Sequence, residues 1–151
     1  MPARHRFTHF LLPYIFQETL PMQRKTSSSG SPFEKAFSFS RACRIGGTIA
    51  IAGTAPLGED GKTVCKGDAY GQAKRCFEIS LSAIEALGGT IDGVIRTRML
   101  LCDADDWPQV AKAHGEVFAG IDPASTCVVV KGLLDPDWLV ETEVDCVVAE
   151  V

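Results

Sequence analysis

The sequence predicts an α+β domain, a mixed β-sheet with two helices packed on one face. Three observations carry this. The C-terminal thirty residues alternate polar and apolar with the period of two that a half-buried strand requires. Asp68–Leu87 carries apolar residues at helical spacing instead. The order of patterns along the chain is hairpin, helix, strand, helix and two strands, which builds a single layer of helices against a sheet.

Residues 1–30 stand apart. Arginines, histidines and aromatics are mixed there with no acid before Glu18, and Gln23–Pro32 is polar and serine-rich. The stretch lacks a clean amphipathic period, and Met22 stands just before the polar run. A transit peptide, an upstream extension and a start assigned too early are all compatible with it. Residues 1–30 are read as a flexible extension and 31–151 as one domain.

Phe37–Ile45 and Thr48–Thr54 read as two strands joined by Gly46-Gly47, a two-residue hairpin signal. The second strand is rich in small residues, which lets a partner approach the backbone near Gly53. Gly61-Lys62-Thr63 imitates the end of a phosphate-binding loop, but Pro56 occupies the place of the first required glycine, so a surface turn is expected. In the first helix Ala73, Phe77, Ser80, Ile84 and Leu87 share a face, and Gly88-Gly89 stops it. Val94–Leu101 alternates so that Arg96 and Arg98 share one side. Asp103-Ala104-Asp105-Asp106-Trp107-Pro108 then opens a second helix that ends near Gly120, with His114 as a packing residue on its apolar side.

The last two strands carry the most informative pattern. Val140, Thr142, Val144, Cys146 and Val148 face one way and Glu141, Glu143 and Asp145 the other. In Asp122–Lys131, Thr126, Val128 and Val130 oppose Ser125, Cys127, Val129 and Lys131. Three carboxylates in a row repel unless cations answer them, and Arg96 and Arg98 are the available cations. Such a face is either a structural ion-pair ladder or the floor of a polar pocket for a small molecule; the two are compatible.

At 151 residues, 46% of them hydrophobic, the chain is long enough for one well-formed core. Its formal net charge of -4 and the absence of a basic stripe argue against a nucleic-acid partner or an anionic membrane surface. No apolar run is long enough to span a bilayer. The six cysteines show no Cys-x-x-Cys spacing, so no disulfide framework is expected, and a reducing, cytoplasmic setting is. Apolar residues among the charges of the outer sheet face suggest burial against other subunits.

Between Phe39 and Val148 the sequence resembles the Rid proteins, the RidA-like reactive intermediate deaminases also described as endoribonuclease L-PSP-type. The likeness rests on Phe39-Ser40-Arg41-Ala42, Gly46 through Gly53-Thr54-Ala55-Pro56, Gln72, Gly88-Gly89 with the strand after it, Pro123-Ala124-Ser125-Thr126-Cys127, and Val140-Glu141-Thr142-Glu143-Val144. It implies a chorismate-mutase-like fold, a homotrimer, and a small-molecule site in each cleft between subunits. It also implies hydrolysis of enamines or imines to a keto acid and ammonia with no cofactor or metal. Glu141 would then handle the water, with the backbone at Gly53 and Cys127 lining the site. Three positions depart from the family pattern. Active members have arginine where this chain has Ser125, tyrosine at Phe39 and serine at Ala52. Arg98 or Arg96 could supply the missing cation. Two readings follow: a deaminase with altered substrate, or a trimer that binds a small ligand without turning it over.

Overall fold

The computed structural model describes residues 23–149. A six-stranded mixed sheet takes the order β1-β2-β3-β6-β4-β5, with β1 Arg24–Ser27, β2 Ala42–Ile45, β3 Thr48–Thr54, β4 Val94–Leu101, β5 Ala124–Val129 and β6 Val140–Val147. All neighbours are antiparallel except β4 and β5. The helices are α1 Pro32–Ala36, α2 Ala69–Ala86 and α3 Trp107–Val117.

The period-two reading of the strands holds. Val140, Thr142, Val144 and Cys146 are buried beneath α2, together with Ile49, Ile51, Thr97, Met99 and Leu101 from the neighbouring strands. Phe77 forms the centre of the helix layer, in edge-on contact with Phe118 and His114. His114 is the packing residue its position suggested, with its Nε2 2.8 Å from Thr97 Oγ1. Asp68 caps α2 by accepting from the Gly71 amide at 3.0 Å. Gly88, at φ +79°, ends the helix in the left-handed conformation that glycine adopts without strain.

Three features differ from the sequence reading. Arg24–Ser27, inside the segment expected to be flexible, forms an edge strand paired with β2 in the register Arg24↔Ile45 to Ser27↔Ala42. Its first three residues are exposed, so it offers no apolar alternation to detect. Residues 1–22 lie outside the described part of the chain. The first hairpin strand is also shorter than expected: Phe37–Arg41 is not strand, and Ser38 has a left-handed φ of 57°. Finally, a third helix, α1, precedes it. Ser31 caps α1 and Pro32 opens it, and both are suited to a helix start.

The segment joining β1 to α1 is closed by Glu34, which is buried. Its carboxylate accepts from Ser28 Oγ, from Ser29 Oγ at 2.6 Å and from the Ser29 amide at 2.9 Å. Burial pushes this carboxyl up, but the serine hydrogen bonds and the nearby Arg41 outweigh it, leaving it below its ordinary value. A depressed carboxyl stabilises the fold above its unfolded value of 4.5 and loses that contribution as the pH falls through its folded value. The protection of the Ser29 amide against hydrogen exchange, relative to its intrinsic rate at each pH, should therefore fall on acidification below that range. In Glu34→Gln the protection should be low at every pH, and an unchanged profile in the variant would show that Glu34 does not hold the segment.

Candidate functional site

The sheet face turned away from α2 and α3 is where the charged residues meet. Arg98 lies opposite Glu143 in the β4–β6 register and Arg96 opposite Asp145. Arg98 Nη1 is 3.1 Å from Glu143 Oε2, Nη2 is 3.3 Å from Asp145 Oδ2, and Arg96 Nε is 3.9 Å from the same Asp145 oxygen. The expected ladder is present. Because both pairs are about a third exposed or more, each contributes little to stability. Their effect is to hold both arginines on the lower two carboxylates, so that neither is paired with Glu141.

Glu141 sits one step further along β6, opposite Leu100. Its carboxylate rests over Gly53, where a methyl group would come within 2.1 Å of Oε1, so a side chain there would push the carboxylate out of this position. The β3–β6 register shifts between Ile51 and Thr54, and this bulge swings Ala52 and Gly53 out of the regular ladder. Burial raises the Glu141 carboxyl above its ordinary value, with Arg41 opposing and Glu143 adding to the rise. A half-buried acid of this kind exchanges protons nearer neutrality than a surface carboxylate does.

Arg41 was not singled out from the sequence as a site residue, and its positive charge is the one that opposes the rise of this acid. Its Nη1 donates to the Gly53 carbonyl at 2.7 Å, to Thr54 Oγ1 at 2.7 Å and to the Ala52 carbonyl at 3.4 Å, clamping the bulge from beneath. Its Nε is buried without an acceptor among the described residues, a situation that costs about 1–3 kcal/mol if nothing fills it. Glu34 and Glu141 flank the guanidinium, and their charges oppose the lowering that burial imposes on it. The available signal was the position of Arg41 in Phe39-Ser40-Arg41-Ala42, a charge immediately ahead of an apolar strand.

Beside this group lies an open cavity of ≈340 Å³ bordered by Phe39, Ser40, Cys43, Ala50, Ala52 and Arg24. A second, of ≈460 Å³, adjoins it at Phe39 and Ser40 and runs past Glu34 and the Ser28–Ser31 segment. Phe39 is therefore a shared wall, 40% exposed. Glu141 stands against Gly53, and the neighbouring Ala52 borders the first cavity together with Phe39.

Ser125 and Cys127 do not join them. Ser125 pairs with Thr97 in the β4–β5 register and accepts a hydrogen bond from Thr97 Oγ1 at 3.0 Å, which places it on the helix side of the sheet. Cys127 pairs with Met99 on the same side, its thiol pushed up by burial. Within one chain the candidates thus divide between the two faces, with Glu141 on the outer one. All six cysteines are free. Among the described residues no group of His, Cys, Asp or Glu side chains is placed to hold a metal ion, and no helix is long and apolar enough to cross a membrane.

Comparison with known proteins follows the same outline. The family described as Endoribonuclease L-PSP matches residues 30–148. The protein SCO2049 of Streptomyces coelicolor is 39% identical over 117 residues, covering 78% of this chain and 87% of that protein. Among solved structures, Rv2704 of Mycobacterium tuberculosis, described as a member of the YjgF/YER057c/UK114 family, superposes with a TM-score of 0.76 at 35% identity, over 83% of this chain and all of the other. Yeast Mmf1 superposes at 0.71 with 21% identity over 86% of this chain and 98% of its own, a likeness of fold.

Proposed function

The chain belongs to the Endoribonuclease L-PSP family, the YjgF/YER057c/UK114 group, and on that premise we propose that it is a cofactor-free imine or enamine hydrolase with an altered substrate. The observation that supports this most is Glu141, a half-buried carboxyl raised above its ordinary value and seated over Gly53 beside Arg41. In the reaction a water oxygen adds to the imine carbon, the carbon–nitrogen bond breaks, and a carbonyl compound and ammonia leave. Glu141 passes one water proton to the nitrogen as the carbinolamine forms, then carries the second from the carbinolamine hydroxyl to the nitrogen as it departs. No other group of the chain is required for the proton balance.

The site is read as a cleft between subunits of a homotrimer. Val128 and Val147 are 45% and 42% exposed on the charged outer face, a pattern suited to burial against copies of the same chain. Sedimentation velocity is expected to give a trimer at micromolar concentration. A monomer would remove the inter-subunit cleft.

The coupled assay generates an imine in situ and follows its decay optically. Acceleration is expected, but it should be weak with the enamine derived from serine. Ser125 cannot clamp a carboxylate, and neither Phe39 nor Ala52 carries a hydroxyl; misplacement by ~1 Å can cost about a hundredfold in rate. The triple change Ser125→Arg, Phe39→Tyr and Ala52→Ser should raise that rate. No acceleration with any imine would leave the second reading, a trimer that binds a small ligand without turnover, which the same three departures from the family pattern favour.

A further inference from the structure

Arg41 is a partly buried charge whose side-chain hydrogen bonds all go to one place, residues 52–54 of β3. The shift of the β3–β6 register between Ile51 and Thr54 takes Ala52 and Gly53 out of the regular ladder, so their main-chain groups need other partners. Arg41 supplies them from both its main chain and its side chain. Its carbonyl accepts from the Ala52 amide at 3.0 Å, while Nη1 donates to the Gly53 carbonyl at 2.7 Å and reaches the Ala52 carbonyl at 3.4 Å. The same Nη1 donates to Thr54 Oγ1 at 2.7 Å. Thr54 is itself buried, donates its hydroxyl to the Ala52 carbonyl at 2.8 Å, and stands 3.5 Å from Ser80 Oγ on α2. The bulge is thereby tied to the segment ahead of β2 and, through Ser80, to the helix layer.

Holding a bulge takes a hydrogen-bond donor and does not by itself take a charge. Burial disfavours the guanidinium's charge, and Glu34 and Glu141 answer it. Of these two, Glu141 is the one seated on the backbone that Arg41 holds, its carboxylate lying against Gly53. Arg41 borders neither of the two cavities, which leaves its influence on a ligand indirect.

We propose, resting on the hydrolase reading above, that Arg41 is the positioning residue of the site: by fixing the Ala52 and Gly53 carbonyls from beneath, it sets the floor on which the Glu141 carboxylate lies. Its charge acts in the same direction as its geometry, favouring the ionised carboxylate. The other groups around Glu141 do not replace it. Glu143, the next acid on β6, adds to the rise, and Arg98 and Arg96 on β4 are held by Glu143 and Asp145. The Cys76 thiol on α2, pushed far up by burial, carries no charge.

The test compares the full wild-type chain with Arg41→Met and Arg41→Lys in two readouts. One is carbon NMR of the Glu141 carboxyl together with the Gly53 amide, recorded across pH without substrate. The other is the pH profile of imine turnover. In Arg41→Met the Glu141 titration and the turnover limb should both move to higher pH and the Gly53 amide should shift. There kcat should fall by about tenfold to a hundredfold, with KM nearly unchanged. Arg41→Lys keeps the charge and loses the planar fork, so the titration should stay near that of wild type while the Gly53 amide shifts and kcat falls by a smaller factor. If Arg41→Met does not fold, Arg41→Lys decides on the Gly53 amide and kcat. A variant that only melts lower, with the Glu141 titration, the Gly53 amide and kcat per folded molecule as in wild type, overturns the proposal and makes Arg41 a scaffold residue. A moved Glu141 titration in Arg41→Met, with no imine turned over by the wild type, would sink the hydrolase reading and leave the positioning role standing.

Discussion

Glu141→Gln is expected to lower imine turnover by about two to four orders of magnitude, the contribution typical of a positioned general acid–base group. The variant keeps the shape and a hydrogen-bonding end but cannot exchange a proton. In the wild type the ionised carboxylate is the working base, so the rate should rise with pH through a limb above the ordinary carboxylate value, because burial raises this group. That limb should vanish in the variant. Stability should move the other way. A carboxyl whose folded value is raised binds its proton more tightly in the native state, so the fold loses stability as the pH climbs past the unfolded value. Glutamine escapes that penalty, and the variant should melt no lower than wild type at neutral pH. A variant that retains full turnover would mean that Glu141 does not handle the water.

Gln72→Leu should be the most destabilising single change on the helix layer. Gln72 has no exposed surface, and its side chain serves three backbone groups. Nε2 donates to the Asp137 carbonyl at 2.8 Å and the Cys65 carbonyl at 3.3 Å, while Oε1 accepts from the Leu139 amide at 2.8 Å. Leucine fills the volume and leaves all three without partners. At about 1–3 kcal/mol for each orphan, offset by relaxation of the loop, the cost is on the order of 3–5 kcal/mol. The melting temperature should fall by roughly 10 °C. The Trp138–Thr63 and Lys66–Asp137 contacts beside it, at 3.0 Å and 2.6 Å, should loosen together. A drop of less than about 2 °C would show that water replaces the amide.

The strands and long helices were legible because burial on one face imposes a period, and the periods of α2, β4 and β6 are uninterrupted. Which strands become neighbours was not, since insertion of β6 between β3 and β4 depends on contacts far apart in sequence. β1 escaped notice for a local reason: as an exposed edge strand of charged and hydroxyl residues it buries nothing that would pattern it. In the site, Glu141 and Gly53 could be paired from their motifs. The role of Arg41 could not, because it exists only once the bulge after Ile51 turns the Gly53 carbonyl toward its Nη1. Ser125 was assigned to the right side of its own strand by alternation. Its separation from Glu141 emerged only with the register that places it beside Thr97.

The position of β6 has a consequence for how the molecule is made. Among the described residues it is the one strand that joins the β1-β2-β3 half of the sheet to the β4-β5 half, and it follows all the other described elements in chain order. During synthesis the earlier elements emerge from the ribosome as two half-sheets with two open borders, and α2 lacks one of the two strands it packs on. Cooperative closure must wait until Val140–Val147 is available to insert, and until then both half-sheets keep open borders on which other chains can pair. The strand that presents Glu141 is thus also the one whose arrival converts two unstable pieces into a domain.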